Sequence, residues 1–334
     1  MPSTKRALSV ILHLMTAHTP VLSLVVPVYN EADGLNDFHV SLTHVLDSLK
    51  PQTSYEIIYC DDGSRDNTAE ILDAIADSDD TVKTILFSRN FGKESALSAG
   101  IAHASGEAII TLDGDGQHPV ELIPDFIAAW KSGAKVVIGV RKGSSGGLLK
   151  KLESKLFYSF FNSLSTQKLV PQSTDFRLID KLVQQEFLKL DESNRITRGL
   201  IDWIGFKRAY IDFVPKERVG GQPGYSQRKL IQLAMNSVVS LSPRPLYLLG
   251  YLGVVLTILA LIVGAVVFIE QLLLGDPLMW KFTGTAMLGI LLLFFVGIIL
   301  ISQGILAVYI SHIHTESKRR PLYIIDRSRS KRIK

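Results

Sequence analysis

Residues 111 to 118 read TLDGDGQH, with Asp113 and Asp115 spaced by one glycine at the end of the apolar run EAIITLD. Two carboxylates so placed repel each other unless a cation serves both. They suit a divalent ion held by few protein oxygens, whose remaining coordination positions go to phosphates and water, as with Mg2+ or Mn2+ on a diphosphate. The plainer alternative is a pair of solvated acids in a turn, and the preceding apolar strand argues against it. Gln117 continues the alternating spacing, yet a calcium loop is excluded. His118 stands where that loop needs glycine, and Pro124 where it needs a bidentate glutamate. Hydride chemistry on a dinucleotide has little support either, because the turn after the first apolar run is PVYNEADG rather than GxGxxG, and no P-loop is present.

The elements that would position these acids alternate regularly between residues 21 and 141. VLSLVVPVYN, YEIIYCDDGS, VKTILFSRN, EAIITLDGD and AKVVIGVRK are short runs rich in β-branched residues. Helical spacing fills the gaps at Leu35 to Leu49, Thr68 to Ala76, Ser95 to Ala104 and Val120 to Trp130. Such alternation predicts an α/β fold with a mostly parallel sheet and helices on both faces. Ligands of these sheets bind beyond the carboxyl ends of the strands. Tyr29-Asn30-Glu31, Asp61 to Ser64, Arg89-Asn90 and Asp113 to Asp115 all fall there, and so are expected to share one crevice.

The remainder of the chain is of another kind. Residues 246 to 269 form 24 positions without a charge, and 284 to 310 another 27. Each is long enough to cross a hydrocarbon layer about 30 Å thick as a helix. The 36 basic and 32 acidic residues nearly balance, which does not point to nucleic acid as a partner. The excess is local: Lys318, Arg319, Arg320, Arg327, Arg329, Lys331, Arg332 and Lys334 crowd the end of the chain. The positive-inside rule then places both the 311–334 tail and the large amino-terminal part in the cytoplasm. The lone cysteine, Cys60, suits a reducing compartment. Residues 1 to 20 are read as an extension and not a signal peptide, since His13 interrupts their apolar stretch and no small-residue cleavage site follows.

VVPVYNE (25 to 31), DDGS (61 to 64), SRNFGKESA (88 to 96), LDGDGQHP (112 to 119), TDFRLID (174 to 180) and RKL (228 to 230), followed by two apolar spans, occur in an order that resembles the inverting glycosyltransferases of GT-A fold. More narrowly, the chain looks like the polyprenyl-phosphate glycosyltransferases, the group of the dolichyl-phosphate mannose synthases and the bacterial undecaprenyl-phosphate sugar transferases. The resemblance implies a catalytic domain over 21–225 and transfer of one sugar from a nucleotide-sugar, with UDP favoured and GDP-mannose possible, to a polyprenyl phosphate. It implies that Pro27, Tyr29, Glu31, Asp62 and Asp113 line the nucleotide site, that Asp113, Asp115 and Gln117 hold Mg2+ or Mn2+, and that Asp175 stands beside the reacting centre. Arg141 matches a position meeting the acceptor phosphate. Assembly as a homo-oligomer through the membrane parts is also implied. One stretch departs from the pattern. Where relatives carry Gly-x-Ser-Lys-Tyr, this chain has Gly221-Gln222-Pro223-Gly224-Tyr225, leaving Arg218, Arg228 and Lys229 to supply positive charge.

Charge arguments bear on the roles. A lipid phosphate monoester has a second pKa of about 6, so it is mostly dianionic at neutral pH and needs no strong base. Asp175 therefore reads equally as a base or as a group that orients the acceptor. Bringing one anion beside another favours arginines on the acceptor side. Arg141 and Arg177 are candidates, Arg177 reading equally as half of a structural ion pair. LLKKLESKLFYSFFNSL, 148 to 164, and RKLIQLAMNSVVSL, 228 to 241, have the pattern of helices lying in a membrane interface, the latter within a juxtamembrane segment 226–243. Two alternatives stand beside the enzyme reading. A processive polysaccharide synthase would carry Gln-x-x-Arg-Trp, which none of Trp130, Trp203 and Trp280 provides. An inactive membrane scaffold would have no need of Asp113, Asp115 and Asp175.

Overall fold

A computed structural model describes residues 21–50, 53–142, 172–192, 195–215 and 284–333, with isolated positions between 251 and 269. The 1–20 extension, the 148–164 and 226–243 helices, the Gly221–Tyr225 loop, Arg218, Arg228, Lys229 and most of the first expected span lie outside the described residues.

The strands are β1 (Leu22–Val28), β2 (Tyr55–Asp61), β3 (Val82–Leu86), β4 (Ala108–Thr111), β5 (Val136–Arg141), β6 (Ser173–Asp180) and β7 (Arg208–Phe213). Between them run α1 (Leu35–Leu49), α2 (Thr68–Ser78), α3 (Lys93–His103), α4 (Ile123–Lys131), α5 (Lys181–Leu188) and α6 (Thr197–Ile204), and α7 (Gly284–Ser317) follows. The seven strands form one sheet in the order β3-β2-β1-β4-β6-β5-β7. β1 pairs in parallel with β2 and β4, β2 with β3, and β5 with β7.

Alternation along the central strands sorts their side chains into two cores. Leu22, Leu24, Val26 and Val28 of β1 face Leu35, Phe38, Leu42 and Leu46 of α1 and Phe126 of α4. Val25, Ile58 and Cys60 face the other way, against Leu97 and Ile101 of α3, Phe187 of α5 and Ile201 of α6. Strands buried on both faces in this manner are what βαβ crossovers produce.

The expected regular parallel order breaks at β6, which runs antiparallel between β4 and β5. The break decides where the site is. Because β6 runs backwards, its first residues arrive at the sheet edge where the other strands end. Two residues beyond the Thr111–Arg177 pair of β4 and β6, Asp113 and Asp175 therefore reach the same edge.

α7 covers the second expected span and continues to Ser317, and its Phe294–Ser317 portion, with hydropathy 2.2 and no burial, is long and apolar enough to cross a membrane. It is the one such helix among the described residues. In the tail after it, Arg320–Lys334 belongs to the same compact unit as the sheet. Thr84 pairs with Lys331 and Phe87 with Ile325 in antiparallel bridges, so the tail covers the edge of β3.

Candidate active site

The turns after β1, β2 and β4 are tied together before any ligand enters. Asn30 takes a left-handed backbone with φ 54°, its amide donates to Ser64 Oγ at 2.9 Å, and its side-chain oxygen accepts from the Arg65 amide at 2.9 Å. Gly63 sits at φ 69°, where a Cβ would come within 2.5 Å of the Arg89 carbonyl carbon. Only glycine fits that contact. Asp62 accepts from the amides of Phe91 and Gly92 at 2.7 and 2.9 Å, so the Asp61 to Ser64 turn grips the loop leading into α3. Burial raises the pKa of Asp62, and the two amides act against that rise.

A cleft of ≈ 160 Å³ opens at these strand ends, lined by Pro27, Val28, Tyr29, Glu31, Asp62, Lys93, Ala96, Asp113, Gly114 and Asp115. All five residues assigned to the nucleotide site from sequence share it. Asp115 accepts from the Gln117 amide at 3.1 Å, which shapes the turn. The buried His118 stacks on Phe176 at 5.2 Å and accepts from the Asp113 amide through Nδ1 at 3.0 Å. Burial lowers the pKa of His118, which keeps that nitrogen an acceptor.

Lys93, the first residue of α3, is the group that sequence reasoning missed. Its Nζ lies 2.6 Å from Asp113 Oδ1 and 2.8 Å from Asp175 Oδ2, bridging the turn after β4 to the start of β6. Burial alone would lower the lysine's pKa, but Asp113 and Asp175 overcome it and hold the group charged. Burial likewise pushes Asp175 up and Lys93 pulls it below its ordinary value. The signal was present in SRNFGKESA, but nothing local reveals that this lysine meets two acids 20 and 82 residues further on.

The Gln117 side-chain oxygen accepts from Arg141 Nη2 at 3.0 Å while its backbone amide donates to Asp115, so Gln117 links the carboxylate turn to the end of β5. Arg177 is 1% exposed, donates to Asp202 Oδ1 at 3.0 Å and to the Thr174 carbonyl at 3.0 Å, and so takes the structural ion-pair role of its two readings. Its position in mid-strand buries the guanidinium against α6. Arg141, by contrast, ends β5, and its Nε is buried with no hydrogen-bond partner among the described residues.

No cluster of three or more His, Cys, Asp or Glu stands ready to cage a metal among the described residues. Asp113 and Asp115 offer two carboxylates from one turn at the cleft, which Glu31 and Asp62 also line. That donor set fits an ion such as Mg2+ or Mn2+, which keeps waters and takes phosphate oxygens, and does not fit a closed protein site.

A mixed α/β sheet with acids gathered beyond its strand ends and an Asp-x-Asp turn is an arrangement of GT-A type. The chain belongs to glycosyl transferase family 2, whose sequence pattern matches residues 23–186. It is 38% identical over 311 residues, 93% of this chain and 99% of the relative, to a bactoprenol glucosyl transferase of Shigella phage SfV. It is also 37% identical over 307 residues, 92% of this chain and 98% of the relative, to a prophage bactoprenol glucosyl transferase homolog of Escherichia coli K12. Among solved structures, glucosyl-3-phosphoglycerate synthase from Mycobacterium tuberculosis in complex with Mn2+, UDP and phosphoglyceric acid aligns with a TM-score of 0.48 at 20% identity, covering 66% of this chain and 77% of that one.

Proposed function

We propose that the protein transfers a single glucose from a UDP-sugar to a bactoprenol-type polyprenyl phosphate at the cytoplasmic face of a membrane, with inversion at the anomeric carbon. The observation that carries this reading is the meeting of Asp113, Lys93 and Asp175 at the mouth of the cleft that Tyr29, Asp62 and Asp115 line. Near full-length likeness to proteins named bactoprenol glucosyl transferases supports the choice of acceptor and of sugar.

The residues divide the work. Pro27, Tyr29, Glu31 and Asp62 receive the nucleotide, and Asp113 and Asp115 face its diphosphate. A divalent ion bound there supplies positive charge to the departing diphosphate. Lys93 lies beside those oxygens and takes up part of the same charge as it grows. Arg141, backed by Gln117, orients the acceptor phosphate, with Arg218, Arg228 and Lys229 as further cations for that side. A phosphate oxygen of the lipid forms the new bond to the anomeric carbon, while the bond from that carbon to the β-phosphate breaks and its electron pair leaves with UDP. Attack from the face opposite the leaving group inverts the centre. The phosphate is already ionised, so no base is needed. Asp175 then keeps Lys93 charged and aimed instead of abstracting a proton.

The test is an incubation of the purified full-length protein with undecaprenyl phosphate, Mn2+ and labelled UDP-glucose, UDP-N-acetylglucosamine or GDP-mannose. Label should enter the lipid phase from UDP-glucose, chelator should stop it, and Asp115→Asn should abolish it without lowering the melting temperature. Labelled lipid from GDP-mannose alone would overturn the donor, and turnover indifferent to chelator would overturn the role of the carboxylate pair.

A further inference from the structure

We propose that the carboxyl-terminal tail, Tyr323 to Lys331, is a positioning element of the donor site, acting through the loop that holds Asp62. This rests on the donor-site reading given above. An edge strand presents unpaired amides and carbonyls, and a chain needs something to cover them. The tail does so at β3. The Asp326 amide donates to the Leu86 carbonyl at 2.8 Å, the Ser88 amide to the Ile324 carbonyl at 3.0 Å, and Thr84 and Lys331 exchange two backbone bonds of 3.1 Å. Its cations are anchored on α2 and the turn that follows: Lys331 Nζ lies 2.9 Å from Asp77, while Arg332 donates to the carbonyls of Asp79 and Val82 at 2.9 and 3.0 Å.

What makes this more than edge protection is the path from the tail to the cleft. The Tyr323 ring stacks on Phe87 at 5.1 Å with 8° between planes. Phe87 in turn meets Phe91 edge to face at 5.8 Å, and the Arg89 guanidinium covers Phe91 at 3.9 Å. The amides of Phe91 and Gly92 are the two that hold Asp62. Lys93 follows immediately as the first residue of α3, so the same loop sets the starting point of the lysine that bridges Asp113 and Asp175. Stacked rings restrict the loop to one position, because offset and edge-to-face aromatic pairs have preferred geometries. Tyr323 is thus a positioning residue for the nucleotide side of the reaction and has no part in binding the acceptor lipid.

The experiment compares full-length wild type, Tyr323→Phe and Tyr323→Ala by UDP binding in the presence of Mn2+, by KM for each substrate, and by amide hydrogen exchange of the 87–92 segment. Tyr323→Ala should weaken UDP binding about tenfold, the size of couplings carried through packed side chains. It should raise the donor KM, leave the acceptor KM in place and speed exchange at Phe91 and Gly92 while β1 and β2 stay protected. Tyr323→Phe keeps the ring and should behave as wild type. If Tyr323→Ala lowers the melting temperature of the whole domain, Tyr323→Leu, which keeps apolar volume without a flat ring, carries the same expectation. Unchanged UDP binding in the alanine and leucine variants, faster exchange throughout the sheet, or a phenylalanine variant as weak as alanine would each overturn the proposal. A wild-type chain that binds neither UDP nor GDP would overturn the donor-site reading and this inference with it.

Discussion

Lys93 holds two carboxylates that belong to different strands, and its removal exposes what each contributes. Lys93→Met keeps the length of the side chain and leaves Asp113 and Asp175 facing each other without the intervening cation. Loss of one preorganised charge at a reacting centre costs about 10²–10³ in rate. The variant should fold, with some loss of stability, and transfer sugar at least a hundredfold more slowly, as labelled lipid formed per minute would report. Transfer at the wild-type rate would remove Lys93 from the site. Arg177→Met should do the reverse. Among the described residues it leaves Asp202 in the core with Arg208 Nη1, at 3.8 Å, as its remaining charged partner, and breaking a buried pair costs about 3 kcal/mol or more. Urea unfolding should register that loss while the acceptor KM of the folded protein stays where it was. An increased acceptor KM with unchanged stability would restore Arg177 to the acceptor side.

α3 crosses β1 so closely that Gly100 is required at the crossing. A Cβ there would lie 2.2 Å from Val25 Cγ1 and 3.0 Å from Cys60 Sγ. Helix propensity favours alanine over glycine by about 1 kcal/mol, yet overpacking a core costs about 1–3 kcal/mol. The contact is with a stiff β-branched side chain in a central strand, so the clash prevails. Gly100→Ala should lower stability and, by pushing α3 off the sheet, move Lys93 and reduce transfer; a variant more stable than wild type would show that the crossing can relax. Across the same sheet, Glu56 of β2 is buried and accepts from Ser23 Oγ at 2.6 Å, from the Ser105 amide and hydroxyl at 2.7 Å each, and pairs with Lys83 at 2.5 Å. Burial raises its pKa, but these partners outweigh burial and the net shift is downward from 4.5. A carboxylate with a depressed folded pKa stabilises the protein above its unfolded pKa and loses that contribution as pH falls through the folded value. Glu56→Gln should therefore cost about 2–3 kcal/mol at pH 7, with the difference from wild type shrinking only once the pH falls below the ordinary glutamate range, in melts across pH. A constant difference down to acid pH would refute the ionised state.

The molecule as a whole combines a buried-sheet domain with a long apolar helix. Phe294–Ser317 is unburied along a length sufficient to cross a bilayer, and leaving that much apolar surface in water is unfavourable. The full chain should stay with membranes through high-salt and alkaline carbonate washes and enter solution only with detergent. Release by salt alone would make the attachment peripheral. The residues after that helix cover the edge of β3, and the last cations serve the domain: Lys331 and Arg332 are paired with Asp77 and Asp80.

Much of this was legible in the residues themselves. The strands ending at Val28, Asp61, Leu86 and Thr111 follow from β-branched runs, and α1 from apolar spacing over Leu35 to Leu49, because burial on both faces of a sheet or one face of a helix demands those periods. The turns bearing Tyr29, Asp62, Asp113 and Asp115 could be set in one crevice because parallel strands deliver their ends to one side. Three things depended on contacts between distant residues. The reversal of β6, which brings Asp175 to that side, depends on which strand it pairs with, and its own residues do not state it. Lys93 looked like one more charge at the start of a helix until two acids from other strands converged on it. Arg177 read equally as ion pair or acceptor ligand, and the tail only as basic, until their partners, Asp202 and the acids of α2 with the turn beyond it, were placed. Periodicity is a local property and can be read along the chain, whereas the partner of a charge is fixed by how the strands are ordered in space.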